Sequence, residues 1–269
     1  MEVGISARVL WASERNLAVN LDYISKNADA AELWLMPPFF PSWRTSQMKG
    51  DLDRLKDVLT AYDVKTTLHA PYHDMNFASL NPSAASVAFR EVEKSLEVAD
   101  LLGSLVVTFH PGGFRYEKEK GFETLKANLR RLDGKAREHN TLLCVENMAG
   151  ERKYLTRPGE IAEALSGLDS IHVTLDVPHA MYQGADVEGF VNEISGRIRH
   201  VHVADFKTGQ DLHIPLGEGN LDLGRAFKSL KGIGYSGLFI LEGLSSNPQA
   251  TVPQDVKRLR AMLAEAGFT

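Results

Sequence analysis

The sequence has a single cysteine, Cys144, in 269 residues. No internal disulfide can form, so the fold rests on its core, as is usual for a reducing compartment. No apolar run is long enough to span a bilayer, which argues against a helical membrane protein. The opening MEVGISARVL lacks a basic leader and a long apolar segment, so it does not read as a secretory signal, and a cytoplasmic location is expected. There is no excess of positive charge: 30 basic residues against 35 acidic ones give −5. That removes a general attraction to nucleic acid or anionic membranes, though not a local basic groove. Linkers, composition shifts and low-complexity segments are also lacking, and a single domain over residues 1–269 is expected.

What is present is a regular alternation. Eight short, nearly continuous apolar runs recur along the chain: EVGISARVL (2–10), AAELWLMPP (30–38), VKTTLHAPY (64–72), SLVVTFHPG (104–112), TLLCVENM (141–148), IHVTLDVPHA (171–180), IRHVHVADF (198–206) and SGLFILEG (236–243). Runs of this kind suit buried parallel strands. Amphipathic stretches lie between them. Phe122, Leu125, Leu129 and Leu132 form one helical stripe, as do Val256, Leu259, Met262 and Leu263. Asn81-Pro82 reads as an N-cap with proline at the first helical position, and Gly103 as that helix's end. Eight βα units without a boundary predict an α/β fold of the (β/α)₈ TIM barrel type. An open doubly wound sheet fits less well, since WASERNL after the first strand has no glycine for a phosphate-binding turn.

The ends of the later strands carry the chemistry. Strand 3 ends in His69, strand 4 in His110 and strand 5 in Glu146. Strand 6 ends in Asp176 with His179 just beyond, strand 7 in His202 and strand 8 in Glu242. In a closed barrel these ends meet at one mouth, where barrel active sites lie. Strands 1 and 2 offer no comparable ligand type. Any one of these residues is readily explained as a hydrogen-bonded core group or a helix cap. Six successive strands are not, because clustered carboxylates repel unless a cation neutralises them. Imidazole and carboxylate are usual ligands of a divalent metal.

The loop DLHIPLGEGNLD (211–222) follows strand 7 and hangs over the same mouth. Asp211 and His213, two apart, point the same way in an extended segment and can join the set. Nine ligand types exceed the coordination of one ion, so either several metals bind or some residues serve substrate. No Lys-Ser/Thr follows Gly217 and Gly219, which argues against a phosphate loop. The glycines instead turn the chain so that Asn220 or Asp222 can cap the next helix. His73 and Lys207 are weaker candidates for touching substrate, His73 beyond strand 3 and Lys207 above strand 7 beside Asp205. His200, one layer below His202 on the same strand face, reads as a core residue or as one that supports the ligands above it, and His139 and His172 as surface residues.

At this point the motifs LHAPYHDMNFAS (68–79), FHPGG (109–113), VENMAG (145–150), LDVPHA (175–180), HVHVADFK (200–207), DLHIPLGEGNLD and ILEG (240–243) stand in order along nearly the whole chain. In this the chain resembles the xylose-isomerase-like TIM barrel superfamily, which includes sugar isomerases and epimerases and endonuclease IV. In the isomerase and epimerase branch, the resemblance implies one Mn²⁺-like ion held by Glu146, Asp176, His202 and Glu242. Glu146 and Glu242 would then transfer protons, and His179 would orient the substrate. In the endonuclease IV branch it implies three zinc ions on His69, His110, Glu146, Asp176, His179, His202, Asp211, His213 and Glu242, and Tyr72 matches a residue inserted into DNA. The nuclease pattern is broken elsewhere. VGISARVLWASE lacks its histidine, serine and glycine pair, and Leu212 replaces a basic residue. Ala204 replaces an asparagine, and Pro41 stands about where the nuclease has an arginine, although Trp43 and Arg44 remain.

The expected function is therefore a divalent-metal-dependent isomerase or epimerase of a sugar or sugar phosphate, with one to three Zn²⁺ or Mn²⁺ ions. The alternatives are a zinc-dependent abasic-site phosphodiesterase acting on DNA and a barrel that binds metal or ligand without catalysis.

Overall fold

The computed structural model describes residues 1–11, 16–36, 48–62, 64–182, 186–207 and 213–269. Its strands are β1 Val3–Ser6, β2 Ala30–Trp34, β3 Lys65–His69, β4 Val106–Phe109, β5 Leu142–Glu146, β6 Ile171–Asp176, β7 Ile198–Val203 and β8 Phe239–Leu241. Each pairs in parallel with the next, and β8 pairs back onto β1, so the sheet closes into a (β/α)₈ barrel. Every expected apolar run contains one strand. Two runs are composite: Ala7–Leu10 and Val177–Met181 are helical. At the second, the Asp176 side chain accepts a hydrogen bond from the His179 amide and Pro178 sits in the first turn, so the helix begins where the strand stops.

The helices follow from local chemistry. Asn81 accepts from the Ser83 amide ahead of Pro82–Leu102, and Gly103 closes that helix at φ +67°, a conformation that favours glycine. In Lys118–Ala136, Leu125, Leu129 and Leu132 are fully buried, and Phe122 is partly so. In Pro248–Glu265, Leu259 and Leu263 are buried while Met262 is only partly covered. The apolar core lies between the barrel's outer face and these helices.

The inside of the barrel is unusually polar. Side chains two apart on a strand share a face. One face carries Glu32 and Trp34 (β2), Thr67 and His69 (β3), Cys144 and Glu146 (β5), Thr174 and Asp176 (β6), and His200 and His202 (β7). Hydrogen bonds across the interior confirm the assignment. Thr108 Oγ1 and Thr174 Oγ1 are 2.8 Å apart, and His200 Nε2 donates to Glu32 Oε2 over 2.9 Å from the other side of the ring. The upper polar layer opens at the mouth, and the lower one is sealed beneath it.

Candidate functional site

The upper layer brings eight of the nine expected ligand residues together; Asp211, the ninth, lies outside the described residues. Three overlapping groups result. His69, His110 and Glu146 form one, Glu146, Asp176 and His202 the second, and Asp176, His179 and His213 the third. Within each, one ligand atom per residue lies within 4.8 Å of the others. Glu146 is shared by the first two and Asp176 by the last two. Glu242 closes the ring, 3.5 Å from His202 Nδ1 and 3.7 Å from His213 Nδ1.

The hydrogen bonds show which atoms are available. His69 Nδ1 donates to the Ala70 carbonyl at 2.8 Å, which in the neutral ring leaves Nε2 without a proton, 3.4 Å from Glu146 Oε2. His179 Nδ1 likewise reaches the Asn147 carbonyl at 3.0 Å. Glu32 Oε2 accepts from His202 Nε2 at 3.2 Å, and His202 Nδ1 then faces Glu242 and, at 3.8 Å, Glu146. In their neutral forms two of these imidazoles, those of His69 and His202, turn a lone pair toward carboxylate oxygen. That arrangement is repulsive unless a proton or a cation lies between. Tethering one ring nitrogen outward while the other faces in is how metal-ligating histidines are usually held. Asp176 Oδ2, His202 Nδ1, His213 Nε2 and Glu242 Oε1 are buried with no hydrogen-bond partner. The residues thus fit a divalent cation.

The protonation equilibria reflect the same crowding. Burial pushes Asp176 up to about 6, and burial lowers His110 and His213 to about 4. Burial alone would raise Glu146, but the imidazoles of His110, His179 and His69 outweigh it and hold its carboxyl well below the usual range.

A cavity of about 480 Å³ opens above these groups. Tyr72 lines it. His73 is exposed beside the Tyr72 ring, at 4.2 Å between centroids, and Lys207 is exposed on the far side of β7; neither lines the cavity. Arg8, Trp34 and Lys153 do.

The loop after β7 is organised by Asp205, whose side chain accepts from the amides of Phe206, Gly217, Gly219 and Leu221. A backbone bridge between Asp205 and Ile214 then sets His213 over the mouth. Of the two candidate caps, Asp222 is the one used: it accepts from the Arg225 amide ahead of Leu223–Gly232.

Two expectations are corrected. Strand 2 does contribute an ionisable group, Glu32, which is fully buried and paired with His200, His202 and Thr67. The signal was present as a lone acid inside the apolar run AAELW. Its meaning depends on β7, on the far wall. His200 is a fully buried core residue, as expected. His139 and His172 are half-buried rather than at the surface, His139 because its ring is tied to Asp100 at 2.8 Å.

A closed parallel barrel with a ring of carboxylates and imidazoles at its C-terminal mouth defines a class of barrel protein, and comparison places the chain within it. The chain belongs to the xylose isomerase-like TIM barrel family, whose model matches residues 23–262. An uncharacterized protein of Methanocaldococcus jannaschii is 27% identical over 239 residues, covering 87% of this chain and 89% of that one. A probable endonuclease 4 of Thermoplasma acidophilum is 26% identical over 211 residues, covering 70% and 73%. Among solved structures, a D-tagatose 3-epimerase-like protein superposes with a TM-score of 0.86 over 98% of this chain and 99% of that one, at 24% identity, a likeness of fold. Among the described residues no helix is long and apolar enough to cross a membrane.

Proposed function

We propose that the protein is a divalent-metal-dependent epimerase or isomerase of a small sugar, with Glu146 and Glu242 as its proton-transfer groups. One observation carries this reading. The two carboxylates come from β5 and β8 and approach the same His202 nitrogen, at 3.8 and 3.5 Å, beneath an open cavity. Together with Asp176 and His202 they would hold the ion. The ion would polarise a carbonyl and a neighbouring hydroxyl, making the adjacent C–H acidic. One glutamate takes that proton and leaves a planar enediolate. The other returns a proton to the opposite face, which inverts the carbon, or the proton is delivered to the neighbouring carbon, which isomerises the sugar. Trp34 and Tyr72 wall the cavity and limit water. The epimerase-like fold neighbour supports the same reading.

The test is solvent exchange. A ketose incubated with the metal-loaded protein in D₂O should gain deuterium at the carbon next to the carbonyl. Glu146→Gln and Glu242→Gln should each slow this by about 10²–10⁴. Exchange at the wild-type rate in both variants rules out the two-glutamate scheme.

The overlap of three ligand groups supports a second reading, a phosphodiesterase with several metals, as does the similarity to a probable endonuclease 4. Metal-dependent nicking of a duplex with an abasic site, together with about three bound zinc ions per chain, would favour it over the first.

A further inference from the structure

We infer that Arg8 binds an oxyanion, so that the substrate carries a phosphate monoester or a carboxylate at its end nearest β1. This rests on the site being one for a small sugar. Arg8 leaves β1 in the short turn Ala7–Leu10 and is half-buried in the wall of the cavity. Its guanidinium carbon lies 4.9 Å from the centroid of the Trp34 ring. Trp34 is itself fixed, because its Nε1 donates to Ser6 Oγ at 2.8 Å and its ring stacks on His69 with centroids 4.4 Å apart. The guanidinium is therefore held by a rigid aromatic that also touches the ligand cluster.

A stacked guanidinium keeps its five N–H donors at its edges, in a fork that matches phosphate and carboxylate. Among the described residues none of those donors has an acceptor, although Glu146 and Glu242 line the same cavity. A substrate that closes over this cation strips its water, and a ligand anion compensates that loss where neutral hydroxyls do so weakly.

Among the described residues the other cations do not serve this position. Lys153 lines the cavity from beyond β5, four strands around a ring of eight from β1, and Lys207 lies outside it. Among the described residues Arg8 is the one arginine that lines the cavity, which makes no track for a polyanion and favours a small phosphorylated or carboxylated sugar over nucleic acid.

The test is calorimetric titration of metal-loaded wild type, Arg8→Gln and Arg8→Lys. The ligands are inorganic phosphate, acetate, D-ribulose 5-phosphate and D-ribulose. Losing a charge-assisted pair should weaken phosphate and the sugar phosphate by about 10- to 150-fold in Arg8→Gln. Arg8→Lys should recover part of this, and D-ribulose should bind alike to all three. Acetate weakened as much as phosphate assigns a carboxylate, and loss confined to phosphate assigns a phosphate ester. Unchanged phosphate affinity, or equal losses for phosphorylated and neutral sugar, overturns the inference. If Arg8→Gln does not fold, Arg8→Lys decides: it keeps the charge, loses the fork and should still weaken phosphate selectively. Binding is read without turnover. Absent proton exchange would therefore refute the proposed function and leave this inference standing, and unchanged phosphate affinity would do the reverse.

Discussion

Replacing Glu32 with glutamine tests how the site is built from below. Glu32 is fully buried, and its Oε2 accepts from His200 Nε2 at 2.9 Å, from His202 Nε2 at 3.2 Å and from Thr67 Oγ1 at 3.1 Å, while its Oε1 lies 3.1 Å from His202 Nε2. Glutamine keeps the shape but offers one oxygen and one NH₂ group in place of two acceptors. With its oxygen at the shared Oε2 position, the NH₂ stands where Oε1 lay, so His202 Nε2 faces a donor with its own N–H, and relief comes by moving that proton to the other nitrogen. That nitrogen is Nδ1, which faces Glu146 and Glu242. The change should therefore act in two ways. Breaking a buried ion pair costs about 3–5 kcal/mol, and at about 2 °C per kcal/mol for a chain of this size the thermal midpoint should fall by roughly 6–10 °C. Loss of the partner that orients a ligand should also weaken metal binding by about 10- to 100-fold. The first effect is read by thermal unfolding of metal-free protein, the second by equilibrium dialysis with metal analysis. A lowered midpoint with wild-type metal affinity would show that Glu32 is only part of the core. It would refute the idea that it sets the His202 tautomer.

Two further outcomes follow from other parts of the chain. Burial raises Asp255 to about 6, against an ordinary value of 3.8, and its side chain is 3.9 Å from Arg258. The folded state therefore holds this proton more tightly than the unfolded one. The resulting stabilisation is complete below the ordinary value and is lost as pH rises through about 6. Asp255→Asn should remove that component, so the midpoint difference between variant and wild type, followed from acid to neutral pH on metal-free protein, should shift in the variant's favour; a constant difference would contradict it. A Cβ at Gly219 would lie 2.5 Å from the Phe206 carbonyl oxygen and would also press on the Asp205 carboxylate. Gly219→Ala should cost about 1–3 kcal/mol and, by moving the loop that carries His213, lower metal occupancy. Wild-type occupancy would show that His213 is placed independently of that loop.

Much of this was legible along the chain because it depends on local order. Eight buried parallel strands give eight apolar runs, and a barrel brings their ends to one mouth whatever the helices do. The alternation Thr67/His69, Cys144/Glu146, Thr174/Asp176 and His200/His202 is a property of the strand itself, so the ligand-bearing face could be read directly. Helix starts at Asn81 and Asp222 were likewise written in the residues next to them.

Partnership across the ring was decided only by closure. Glu32 sits in a short apolar run on β2, and nothing near it in sequence reveals that it meets His200 and His202 on β7. Arg8 follows β1 as an ordinary basic residue until Trp34, from the next strand, is placed against it. Asp205 holds the amides of residues as distant as Leu221, and so fixes a loop whose sequence suggested only a turn. The sequence determined which chemistry could gather at the mouth, because strand periodicity and strand order are encoded locally. The tertiary structure determined which nitrogen of each imidazole is tethered and which charges are left unpaired, because those depend on distances between strands far apart in the chain.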